Sequence, residues 1–102
     1  MYGLENDTIE SIKEVFQKYT SVKKVILYGS RAMGTYHASS DIDLTLIGKE
    51  LTLKKQLSIE NDLDDLLSPY KIDLSIFHKI DNPDLIDHIQ RVGVVFYEIK
   101  LK

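Results

Sequence analysis

Gly29-Ser30-Arg31-Ala32-Met33-Gly34, followed across a short polar loop by Ser40-Asp41-Ile42-Asp43-Leu44, combines features that folding alone does not readily produce. A glycine permits positive φ, a hydroxyl stands where a helical turn begins, and two carboxylates lie one strand-step apart. Strand side chains alternate between faces, so Asp41 and Asp43 share a face with Cα atoms about 6.6 Å apart, and Ile42, Leu44 and Leu46 take the other. Lys71-Ile72-Asp73-Leu74-Ser75-Ile76-Phe77 repeats the alternation, with Ile72, Leu74 and Ile76 as its buried set. If the two strands neighbour each other in one sheet, Asp73 joins the other two acids.

Three close carboxylates are hard to keep ionised together, because two like charges about 4 Å apart repel by roughly 4 kcal/mol at an effective dielectric near 20. Either protons are retained through raised pKa values or a divalent cation neutralises the cluster. All-oxygen ligation favours Mg²⁺ or Mn²⁺ over zinc, and Mg²⁺ keeps waters and borrows substrate phosphates as further ligands. The glycine turn suits the same substrate, since backbone N–H groups and the Ser30 hydroxyl are donors for phosphate oxygens. Gly-Ser at a strand-to-helix turn is also a common structural device, and Asp-x-Asp is often a solvated strand face. Asp is disfavoured in strands, however, and two at the start of one and a third inside another favour a functional reading. The P-loop pattern Gly-x-x-x-x-Gly-Lys-Ser/Thr is absent. Arg31 is a candidate to hold phosphate charge, set against the default of a surface arginine.

Outward from this stretch, hydrophobic period gives the remaining elements. Asp7-Thr8-Ile9-Glu10 has the form of a capping box, and Ile9, Ile12, Val15, Phe16 and Tyr19 predict an amphipathic helix over 8–20. Val22 to Tyr28 reads as a strand buried on both faces, Ser30 to Gly34 as a helical turn, and Asp41 to Ile47 as the second strand. Leu53, Leu57, Leu63, Leu66 and Leu67 suggest a helix within 51–67, its acids from Glu60 to Asp65 on a solvated face and Ser68-Pro69 as its stop. After the third strand over 71–77, Asn82-Pro83-Asp84 provides an N-cap with proline at the first helical position, and Gly93 the C-terminal cap. Val94 to Ile99 is the last strand. The fold class is α/β (α+β): a small mixed β-sheet packed against helices, formed by residues 1–102 as one domain.

A chain of 102 residues, 43% hydrophobic, suits one modest core. The formal charge of -3 and the dispersed basic residues, paired only at Lys23-Lys24 and Lys54-Lys55, leave no basic face for a nucleic-acid backbone. Cysteine is absent, which excludes disulfides and thiolate chemistry. Met1 to Asp7 is polar and acidic, unlike a secretory signal, and no apolar run reaches membrane-spanning length, so the expected location is the cytoplasm. His37 and Tyr36 sit in the loop beside the acids, His78 and His88 lack partners at metal-ligand spacing, and Tyr28 falls in a core strand.

The Gly29–Gly34 and Ser40–Leu44 segments together resemble the signature of minimal nucleotidyltransferases of the DNA polymerase β superfamily. Lys71-Ile72-Asp73-Leu74 resembles the strand that carries that family's third carboxylate, and Gly93-Val94-Val95-Phe96-Tyr97 its usual ending, so the likeness covers nearly the whole chain. The resemblance implies a polymerase-β-like fold and an antitoxin paired with a HEPN-domain toxin. It also implies transfer of AMP from ATP to a hydroxyl, a tyrosine of that partner. Carried over by position, Gly29 and Ser30 hold the triphosphate with Arg31 beside them. Asp41 and Asp43 bind two Mg²⁺ ions, and Asp73 completes the metal and catalytic set near the attacking hydroxyl. Met33, where many relatives have a basic residue, and Ser39, where an acid is frequent, depart from the pattern and bear on substrate contacts. Two other readings stand beside this one: a non-catalytic antitoxin that occludes its partner, and a small-molecule nucleotidyltransferase.

Overall fold

In the computed structural model, which describes residues 1–66 and 69–99, the first helix α1 spans Asn6–Gln17 and buries Ile9, Ile12, Val15 and Phe16 along one stripe. It starts and ends earlier than the 8–20 that periodicity suggests. Its N-cap is Glu5, which makes no side-chain capping bond, so the Asp7–Glu10 capping box does not form. Leu4 is the physical reason: it is buried, and its N–H closes a turn on the Met1 carbonyl at 2.9 Å, delivering the chain to the helix ahead of Asp7. Asp7 remains in the first turn, where a negative charge favours the helix dipole.

Among the described residues, four strands form one sheet in the order β3-β2-β1-β4. They are β1 (Lys24–Tyr28), β2 (Ile42–Ile47), β3 (Ile72–Ile76) and β4 (Val94–Glu98). β1 runs antiparallel to β2 and β4, and β2 runs parallel to β3, so the sheet is mixed. The parallel pair requires a crossover, which α3 (Leu53–Asp64) provides. Asp41 and Lys71 just precede their strands, where the Ile42 N–H bonds the Lys71 carbonyl at 2.9 Å. At Phe96 the β1–β4 register slips by one residue, a bulge that keeps both Phe96 and Tyr97 on the core.

One face of the sheet carries Val25, Leu27, Ile42, Leu44, Leu46, Leu74 and Ile76, packed against α1 and against Ile59 and Leu63 of α3. Leu53 and Leu57 are exposed, contrary to the leucine pattern, because Ile59 and Leu63 define the buried stripe of α3. Leu67 and Ser68 lie outside the described residues. The acids of α3 are not all on a solvated face: Asp62 accepts a hydrogen bond from the Tyr19 hydroxyl and pairs with Lys18 at 3.4 Å, joining α1 to α3.

The opposite face of the sheet receives α4 (Pro83–Val92), whose Asn82 side chain caps the Asp84 and Leu85 N–H groups as expected. Gly93 ends the helix in an extended conformation, not the left-handed one usual for a glycine cap. Space dictates the residue, since a Cβ there would lie 2.4 Å from the Ile89 carbonyl oxygen and 2.6 Å from Ile26. Among the described residues, no helix is long and apolar enough to cross a membrane.

Candidate active site

Register alone brings two of the predicted acids together. β2 and β3 are neighbours and parallel, with Asp43 opposite Asp73, Leu44 opposite Leu74 and Thr45 opposite Ser75. Tyr28 of β1 is the partner of Asp43 on its other side, so Tyr28, Asp43 and Asp73 form a row across the sheet. All three lie on the face away from the main core, because the alternation that buries Leu27, Leu44 and Leu74 turns their neighbours outward. Asp41 is exposed just before β2, two residues from Asp43.

The electrostatics reflect this crowding. Burial first, then the carboxylates of Asp73 and Asp41, push the Asp43 carboxyl above its ordinary value, while His88 partly offsets them. Burial likewise raises the Tyr28 phenol, opposed by a hydrogen bond with Ser75 and reinforced by Asp73 and Asp43. Ser75 in turn donates to the fully buried Thr45 hydroxyl at 2.9 Å, so a chain of hydroxyls underlies the two facing acids. Tyr28 is thus buried but belongs to the face of the acids, not to the main core.

Gly29 closes β1 with φ 74 and ψ -157, and α2 (Ser30–Met33) follows until Gly34 ends it in the left-handed region. A Cβ at Gly29 would lie 2.3 Å from Oδ2 of Asp43, so the turn and the acid are in direct contact. Ser30 therefore begins a helical turn at the edge of the carboxylate row. Main-chain and hydroxyl donors beside clustered carboxylates match the opposite needs of phosphate and cation.

Arg31 does not stand free for phosphate. It is 2% exposed, and its guanidinium donates to the Tyr2 carbonyl at 2.8 Å, to Ser40 at 3.0 and 3.1 Å and to Ala38 at 3.4 Å. The rings of Tyr36 and Tyr70 lie 5.3 and 4.9 Å from it. Its fork of donors is consumed by carbonyls, and its effect is to hold the loop that delivers Asp41. Position in the motif suggested a ligand; the carbonyl of Tyr2, far back in the chain, is the partner that spacing could not reveal.

The oxygen donors suit magnesium in kind. Among the described residues no three His, Cys, Asp or Glu side chains close on a common point, so a preformed three-acid cage is absent. Mg²⁺ does not need one: a carboxylate pair with waters and substrate phosphates completes its octahedron. Asp43 and Asp73 supply such a pair, and the burial and, after it, the neighbouring carboxylates that raise the Asp43 carboxyl both disfavour a bare charge that a bound cation would stabilise. The residue missed at this site from sequence is His88, whose Nε2 accepts the Gly29 N–H at 3.2 Å. Only the tertiary fold brings it there.

Comparison with known proteins identifies the family and the fold. A protein of Methanocaldococcus jannaschii, named as a candidate protein adenylyltransferase, is 34% identical over 84 residues, covering 74% of this chain and 85% of that one. Among solved structures, a toxin-antitoxin complex with AMP-PNP superposes with a TM-score of 0.71 at 19% identity, covering 95% of this chain and 76% of the other. A complex of tri-AMPylated Shewanella oneidensis HEPN toxin with its MNT antitoxin gives 0.69 at 14% identity, covering 94% and 74%. At such identities the structural likeness establishes the fold. The family model described as "Polymerase beta, Nucleotidyltransferase" matches residues 10–101, and the chain belongs to that nucleotidyltransferase family.

Proposed function

We propose that this protein transfers AMP from ATP to a tyrosine hydroxyl of a cognate HEPN-domain toxin, releasing pyrophosphate and so acting as the antitoxin of the pair. The observation that carries the reading is the alignment of Asp43 with Asp73 immediately beside the Gly29 turn. The relatives' names support the adenylyl donor and the protein acceptor. ATP as donor and a toxin as acceptor put the reaction in the cytoplasm, and residues 1–102 act as one nucleotidyltransferase domain.

In the reaction, the phenol oxygen attacks the α-phosphorus, and the bond from that phosphorus to the oxygen bridging to the β-phosphate breaks. Ser30 seats the triphosphate through its N–H and hydroxyl donors, and Gly29, whose own N–H is held by His88, provides the turn and the absence of a side chain that let a phosphate approach. Asp43 and Asp73, with Asp41 joining them beside β2, would hold Mg²⁺, two ions in this reading, and the metal would supply charge stabilisation to the attacking and departing oxygens. Asp73 is exposed at the outer strand, where it takes the proton of the entering phenol directly or through water. Arg31 acts at one remove by fixing the loop from Ala38 to Ser40.

The test is incubation of the protein with α-labelled ATP, Mg²⁺ and the HEPN partner, with Asp43→Asn and Asp73→Asn alongside. Label on the partner that disappears in both variants is the expected result. Neutralisation of the toxin that survives both variants without labelling would replace this reading with occlusion. Label on an added small alcohol in place of protein would point to a small-molecule acceptor.

A further inference from the structure

His88 is a half-buried residue of α4 whose imidazole the scheme above leaves without a task. Its Nε2 accepts the Gly29 N–H at 3.2 Å, and its ring meets Tyr28 edge-on with centroids 6.1 Å apart. A ring nitrogen that accepts carries no hydrogen, so this contact selects the tautomer protonated on Nδ1. The contact joins two well-anchored parts. α4 is fixed by the Asn82 cap, by buried Ile89 and by the close fit of Gly93 on Ile26. Gly29 is fixed on its other side by Asp43, against which no Cβ fits.

Packing alone does not call for an imidazole here. An apolar ring would make the same edge contact with Tyr28, but it would leave the Gly29 N–H without its acceptor at a half-buried turn. That N–H sits in a backbone conformation essentially confined to glycine, where the direction of the peptide is set by its few partners.

We propose that His88 is a positioning residue for nucleotide binding: by accepting the Gly29 N–H it fixes the Tyr28–Gly29 peptide from which the turn into Ser30 departs, and so sets the affinity for the triphosphate without touching it. The inference rests on the nucleotidyltransferase reading of the site. It makes α4 a second support of the turn, beside the contact that Gly29 makes with Asp43. It weighs on binding more than on chemistry, because cutting the contact removes no acid and no donor to the phosphates.

The experiment uses the full chain with Mg²⁺ and three forms: wild type, His88→Phe, which keeps a ring against Tyr28 and removes the acceptor, and His88→Gln, whose amide oxygen reaches near the place of Nε2. AMP-PNP affinity is measured by calorimetry, KM and kcat for ATP by labelling of the HEPN partner, and the Gly29 amide by hydrogen exchange. Loss of one hydrogen bond at a pre-organised site corresponds to roughly a tenfold change. His88→Phe is expected to weaken AMP-PNP and raise KM by about that factor with kcat nearly unchanged, and to speed exchange at Gly29; His88→Gln recovers most of the loss. Unchanged affinity in a folded His88→Phe overturns the proposal. So does a loss of kcat and thermal stability that His88→Gln fails to rescue, which is the pattern of a packing defect. Wild type that binds no AMP-PNP and labels no partner overturns the nucleotidyltransferase reading itself, and this inference with it, which separates that failure from one confined to the variants.

Discussion

Gly29 and Asp43 are in contact so close that a single added carbon at the glycine would sit 2.3 Å from the carboxylate oxygen. With φ at 74 and ψ at -157, the backbone there also disfavours any L side chain. Gly29→Ala therefore carries two penalties, strain of about 1–3 kcal/mol and displacement of Asp43. Expected are a lowered urea midpoint and loss of Mg-dependent AMP-PNP binding. A variant with wild-type affinity would show that neither the turn nor Asp43 needs its observed position.

Much of this arrangement can be read from alternation. Ile42, Leu44 and Leu46 identify the core face of β2, which puts Asp43 and Thr45 opposite, and the same count places Asp73 and Ser75 in β3. Period says nothing about which strands touch; the parallel β2–β3 pairing is what converts two motifs into one site. Contacts between distant positions are also hidden from it. Arg31 reaches back to Tyr2, His88 lies against Gly29, and Tyr19 binds Asp62, each a meeting of side chains that share no local pattern. Leu53 and Leu57 misled for a related reason, since a leucine's burial depends on where its helix lands as well as on the count along it.

Asp43 offers a stability measurement that separates function from fold. Its carboxyl is raised by burial and by Asp73 and Asp41, so the folded protein binds this proton more tightly than the unfolded chain. The penalty is absent below the ordinary value of 3.8, grows as pH rises from there to the raised folded value, and is complete above it. Asp43→Asn should accordingly be at least as stable as wild type at neutral pH in the absence of metal, with the gap closing toward acid, while its partner labelling is lost. Denaturant titrations across pH check this, and destabilisation by Asp43→Asn at neutral pH would contradict the crowding of the acids.

The hydrogen bond from Tyr19 to Asp62 has its own titration signature. Bonding to Asp62, with lesser contributions from burial and the carboxylate charge, pushes the Tyr19 phenol up to about 12, and the same bond lowers Asp62. Stability from the phenol is complete below its ordinary value of 10.0 and is lost as pH rises through about 12. That from Asp62 holds above 3.8 and is lost as pH falls through its lowered value. Absorbance titration should show a late-ionising phenol that both Tyr19→Phe and Asp62→Asn abolish. If Asp62→Asn leaves the late step in place, another tyrosine is responsible for it.

Arg31 distinguishes a ligand from a scaffold within the same motif. A phosphate-binding arginine can be removed with loss of affinity and little loss of stability, whereas a buried one that satisfies three carbonyls cannot. Arg31→Met leaves the oxygens of Tyr2, Ala38 and Ser40 without their donor, at a cost of about 2–4 kcal/mol from the charged hydrogen bonds and the carbonyls left unpaired. Arg31→Lys keeps the charge but not the fork, and should recover only part of that loss because one ammonium cannot span all three acceptors. Equilibrium unfolding in urea measures both. The expected order is wild type, Lys, then Met, with AMP-PNP affinity falling in step as the loop before Asp41 loosens. Wild-type stability in Arg31→Met together with weakened nucleotide binding would return the guanidinium to the role of a phosphate ligand.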